Sequence, residues 1–65
     1  MNKRLKARII EGFGTQSDFA EVARTHESVV SRVVRGRQRL SEDSQRLWAK
    51  LLGCKARELF EQEGR

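Results

Sequence analysis

The sequence predicts an all-α fold, five short helices packed as one bundle, and three observations lead there. The chain has 65 residues, enough for one core and too few for a second domain. Its apolar residues recur at helical rather than alternating spacing. Cap residues and glycines, with no proline anywhere, cut the chain into five segments. A single domain over residues 1–65 buries only about 60% of the surface its unfolded chain exposes, so its stability margin is thin.

The first helix is expected from about Lys3 to Glu11, where Leu5, Ile9 and Phe13 recur every four residues as one helix face requires. Gly12-Phe13-Gly14 breaks it. Thr15 with Asp18 three residues later forms a capping box, opening a second helix to about Arg24. That helix points Phe19, Val22 and Ala23 inward. Glu21 and Arg24 are spaced for a surface ion pair.

A third helix covers about residues 27–35. Its valines at 29, 30, 33 and 34 favour strand by propensity. They fall in adjacent pairs separated by a polar pair, however, and a half-buried strand alternates, so the 3.6-residue period prevails. Gly36 closes this helix. After the loop Arg37-Gln38-Arg39-Leu40, Ser41 caps a fourth helix with Glu42 and Asp43 in its first turn, where the helix dipole favours acids. Leu47, Trp48, Leu51 and Leu52 form its inward stripe and Gly53 ends it. At this spacing Trp48 is core rather than a base-stacking platform. A fifth helix, about Lys55 to Gln62, contributes Leu59 and Phe60.

Charge bears on the partner. Lys and Arg number 14 against 9 Asp and Glu, a formal net charge of +5 with pI near 10.4, a balance suited to a polyanion. The charge is uneven, because Arg32, Arg35, Arg37 and Arg39 lie between Ser28 and Ser41 with no acid among them. One cysteine, Cys54, and one histidine exclude an internal disulfide and a Cys/His metal set. Cys54 is expected as a small buried apolar residue. No apolar run approaches the ~20 residues of a membrane span, and Ile9-Ile10 is too short for a signal-peptide core. The expectations are therefore a cytoplasmic chain with no membrane partner, no cofactor, no metal and no small-molecule substrate. No nucleophile–base pair or phosphate-binding glycine loop is present, so no enzyme is expected.

Two short helices joined by a tight turn, the second rich in small polar and basic side chains, form a helix-turn-helix at residues 16–35. From Thr15 to Gly36 the chain reads Thr-Gln-Ser-Asp-Phe-Ala-Glu-Val-Ala-Arg-Thr-His-Glu-Ser-Val-Val-Ser-Arg-Val-Val-Arg-Gly. This resembles, without gaps, the Cro/lambda-repressor (XRE-type) family, which reads Thr-Gln, an acidic residue, Leu-Ala, then Ile-Ser-Arg-Ile ending in Arg-Gly. Leu40-Ser-Glu-Asp and Trp48-Ala-Lys-Leu-Leu-Gly-Cys-Lys-Ala-Arg-Glu-Leu-Phe60 are similar to the family's fourth and fifth helices. The resemblance implies a lambda-repressor-like bundle that regulates transcription by binding double-stranded DNA, repressor-like and of phage or prophage type. It also implies a homodimer on a palindromic site, with the fifth helix and the chain ends as its contact surface. Two departures stand out. Arg24 occupies a turn position where the family often has Gly, and a left-handed non-Gly residue there costs ~1 kcal/mol. His26, a turn residue, stands where the family often has a Ser cap.

A major groove admits one α-helix, whose N-terminal residues reach base edges. With Val30, Val33 and Val34 inward and Val29 intermediate, Glu27, Ser28, Ser31 and Arg32 are expected to face bases. Arg32 can grip guanine O6 and N7, Glu27 can accept from cytosine N4, Ser28 reads ambiguously, and Val29 can touch a thymine methyl. Glu27 is equally well placed to act only as a favourable charge at a helix N-terminus. Arg35, Arg37 and Arg39 read as phosphate contacts, which position without specifying sequence. By the resemblance, Gln16 anchors a phosphate too.

Two rival functions fit the same residues. An antitoxin of a toxin–antitoxin pair would also bind DNA, and Leu40-Ser-Glu-Asp-Ser resembles that subgroup's fourth-helix entry. A basic protein-interaction or membrane-surface module fits less well, since the arginines cluster beside one Ser/Arg face rather than running along a whole helix.

Overall fold

The computed structural model describes residues 1–60. It is an all-α bundle of five helices: α1 (Lys3–Phe13), α2 (Gln16–Val22), α3 (Glu27–Val34), α4 (Glu42–Leu52) and α5 (Ala56–Phe60). The expected extension of α5 to Gln62 lies outside the described residues. α1 packs against each of the other helices, α2 pairs with α3, and α4 pairs with α5. The valine-rich segment is helical, as its period requires. No helix among the described residues is long and apolar enough to cross a membrane.

The helix boundaries follow from local chemistry. The Thr15 hydroxyl accepts from the Asp18 amide at 3.0 Å, and the Ser41 hydroxyl accepts from the Ser44 amide at 3.2 Å. Each satisfies one amide that a helix start leaves orphaned. α1 runs through Gly12 to Phe13 and stops at Gly14, whose φ is 88°. α3 ends in a Schellman turn about Gly36 (φ 81°). There the Gly36 amide donates to Val33 O at 3.0 Å and the Arg37 amide to Arg32 O at 2.8 Å.

The same turn ends α2, with an arginine in the left-handed position. Arg24 has φ 61°, its amide donates to Glu21 O at 3.2 Å, and the Thr25 amide donates to Ala20 O at 2.9 Å. The strain expected of a non-Gly residue there is therefore built into the α2–α3 turn. Its side chain is exposed and makes no ion pair with Glu21, contrary to the i, i+3 expectation. Arg24→Gly should accordingly raise stability by up to ~1 kcal/mol, the Cβ penalty outweighing the added entropy of the unfolded chain. A thermal melt checks this, and a lower Tm would contradict it.

Phe19, fully buried, is the hub of the core. Its ring meets Phe13 and Trp48 edge-on, each with centroids 5.1 Å apart, the geometry that aromatic quadrupoles favour. Leu5, Ile9, Val30, Val33, Val34, Leu59 and Phe60 complete it with Ala20, Ala23 and Ala49. Two expected core residues are outside it: Val22 is 50% and Leu47 46% exposed. At 100° per residue, Val22 lies about 105° from the centre of the Phe19–Ala20–Ala23 face and Leu47 about 150° from that of Trp48–Ala49–Leu52. Small alanines, not the larger apolar neighbours, set which way these helices face. Cys54 is half-buried. Burial pushes its thiol above the usual range, opposed by Arg8 and reinforced by Glu58.

Asn2 is the buried polar residue of the core, 3% exposed. Its Oδ1 caps α1 by accepting from the Leu5 amide at 3.1 Å, and its Nδ2 donates to Leu59 O at 2.6 Å. Its own amide donates to Val34 O at 2.7 Å. One residue thus ties the start of α1 to α5 and to the last turn of α3.

Candidate nucleic-acid interface

α3 is held by its valines. Val30, Val33 and Val34 are at most 2% exposed, which fixes the rotation of the helix and so decides what it presents outward. Opposite their centre runs a stripe of Ser28, Arg32 and Arg35 at i, i+4 and i+7, all exposed. It spans about 10 Å along the axis at 1.5 Å per residue. Val29 and Ser31 flank this stripe on its two sides and are half-buried. Ser31 therefore faces outward only in part. Glu27 is exposed but lies about 100° round from Ser28; it is accessible because α3 begins there. Its carboxylate sits in the first turn, where the orphaned amides favour it. His26, the N-cap residue, adds no side-chain bond.

The loop after α3 turns back beside the stripe. Arg32 Nε donates to Gln38 Oε1 at 3.0 Å, a contact the arginine-rich spacing did not indicate. Gln38 is half-buried between exposed Arg37 and Arg39, so both neighbours emerge next to the outer face of α3. The far end of the loop is pinned where Gln45 Nε2 donates to Leu40 O at 3.1 Å, and Leu40 packs on the core. Gln16 is half-buried at the first position of α2 just after the Thr15 cap.

The electrostatics of this face are one-sided. Residues 27–39 carry Arg32, Arg35, Arg37 and Arg39 against Glu27, a sum of +3 from four cations and one acid. Among the described residues none of these arginines forms an ion pair. The nearby acids of α4 are engaged elsewhere: Arg46 lies 3.9 Å from Glu42 and 3.7 Å from Asp43, in exposed pairs of little energetic weight. Four guanidiniums with no carboxylate partner among the described residues repel one another, and a polyanion relieves that repulsion. Among the described residues no group of three or more His, Cys, Asp or Glu is placed to hold a metal ion. No family model matches the chain, and no curated protein or solved structure matches it.

Proposed function

We propose that this chain is a sequence-specific regulator that binds double-stranded DNA with α3 in the major groove. The observation that carries the reading is the Ser28–Arg32–Arg35 stripe, bordered by a folded-back loop whose arginines form no ion pair among the described residues. A helix face with an arginine at its middle and cations at its exit matches the division of labour at DNA. Base edges are read from within the groove and phosphates are gripped where the helix leaves it. Arg32 grips guanine, Ser28 and Glu27 reach neighbouring edges at the helix N-terminus, and Val29 and Ser31 contribute from the flanks. Arg35, Arg37, Arg39 and Gln16 hold phosphates. The ungapped resemblance to the Cro/lambda-repressor type over residues 15–36 supports the same assignment.

The protein works as a homodimer on a palindromic site. One copy measures 29 × 23 × 20 Å, so two copies side by side suit half-sites one DNA turn, about 34 Å, apart.

Selection of bound duplexes from a random pool tests the reading. The wild type should enrich a paired motif, and Arg32→Ala should lose preference at one base pair of each half. On the selected site that change should cost ~1–3 kcal/mol, with far less lost on scrambled duplex. Equal losses on both would reduce Arg32 to a backbone contact, and no enrichment by the wild type would refute sequence-specific binding.

A further inference from the structure

We infer that Gln38 is a specificity-determining positioning residue, which fixes the guanidinium of Arg32 so that it meets a guanine end-on. The inference rests on α3 facing DNA. Arginine carries only donors, so the atom of Gln38 that faces Nε at 3.0 Å is its carbonyl oxygen. That contact has two consequences. It occupies Nε, which removes the side-on fork that pairs Nε with one terminal nitrogen. The end-on fork remains, in which Nη1 and Nη2 each direct one N–H to guanine O6 and N7. It also turns the Nε2 amide of Gln38 away from Arg32, with both donors unused among the described residues. Flanked by Arg37 and Arg39, that amide is placed to bond a phosphate oxygen of the strand the two arginines grip.

An exposed arginine otherwise loses much side-chain freedom on binding, and a pre-formed hydrogen bond reduces that loss. The anchor itself is firm. Gln38 sits in a loop closed by the Schellman turn at Gly36 and by the Gln45–Leu40 bond. Its neighbour in the pair projects from a helix locked by three buried valines. Recognition by Arg32 therefore depends on a residue outside the helix that carries it.

Two measurements test this. In the free protein, 15N relaxation should show the Arg32 Nε–H nearly as ordered as the backbone, with Arg35, Arg37 and Arg39 Nε–H mobile. Gln38→Ala should release Arg32 to their level, and Gln38→Glu, which keeps an acceptor, should hold it. On DNA, Gln38→Ala should lower the ratio of selected-site to scrambled-duplex affinity about five- to tenfold. It should do so at the base pair that Arg32→Ala relaxes, with no further loss of the ratio in the double variant. Gln38→Glu should weaken both duplexes through its charge while largely keeping the ratio. A mobile Arg32 Nε–H in the wild type, or additive losses in the double variant, would overturn the inference even if the wild type selects a site. An ordered Nε–H in a protein that selects no site would instead overturn the DNA reading, and the specificity role with it.

Discussion

Asn2→Ala is expected to destabilise the domain by ~2–4 kcal/mol, a large fraction of the total for a chain of 65 residues. Two losses combine. Removing Oδ1 uncaps α1 at the Leu5 amide, which costs ~0.5–2 kcal/mol. Removing Nδ2 takes a donor from Leu59 O in a site where Asn2 is only 3% exposed, and a buried unsatisfied carbonyl costs ~1–3 kcal/mol. For a domain this size the thermal midpoint should fall by at least ~10 °C. Asn2→Ser, which keeps a capping oxygen but cannot reach Leu59, should fall between the two. A midpoint lowered by less than ~3 °C in Asn2→Ala would mean that the α1–α5 tie carries little energy. DNA affinity per folded molecule should be unchanged, because the bond from Asn2 to α3 is made by its backbone amide, which the substitution keeps.

The largest effect on binding is expected from replacing Arg35, Arg37 and Arg39 together with alanine. Each phosphate contact steepens the dependence of log affinity on log salt by ~0.9, so the slope should flatten by ~2.7. At physiological ionic strength that corresponds to roughly 100-fold weaker binding, on selected and scrambled duplexes alike. The three side chains are exposed and form no ion pair among the described residues, so the melt should move little. An unchanged slope would remove all three from the interface. The contrast with Arg32→Ala is the diagnostic one: under the proposed function, losing the loop arginines should weaken every duplex alike, and losing the helix arginine should change which duplex is preferred.

These expectations differ in how far they could be read from the sequence. Helix starts at Thr15 and Ser41 and stops at Gly36 and Gly53 were legible, because a cap is chemistry between residues three to five apart; the first helix, expected to break at Gly12, runs on to Phe13 and stops at Gly14. So was the inward set Phe19, Val30, Val33, Val34 and Trp48, which one helical period defines. Val22 and Leu47 were misplaced for a related reason. A wide apolar stripe leaves its own centre undetermined, and the centre was chosen by close packing at Ala20, Ala23 and Ala49. Arg24 could be flagged as strained but only the backbone, with its Schellman bonds, shows the left-handed turn. Asn2 was missed in the sequence, although an Asn just before an amphipathic helix is a common N-cap residue; its bond to Leu59 joins positions 57 residues apart and leaves no trace in local spacing. Gln38 is the same case at the candidate site. Its contact with Arg32 needs the loop to fold back over α3, which arginine spacing alone cannot reveal.

The central claim is that the outer face of α3, with the loop after it, is the DNA-contacting surface. Its most direct test is a titration of the 15N-labelled protein with a short duplex carrying the selected site, following every backbone amide. The shifts should concentrate at Gln16, at residues 27–32 and at residues 35–39. Lys3, Lys6 and Ile10, on the exposed side of α1, and Met1 before it should stay unperturbed. Shifts centred on α1 or α5, with residues 27–39 silent, would contradict it.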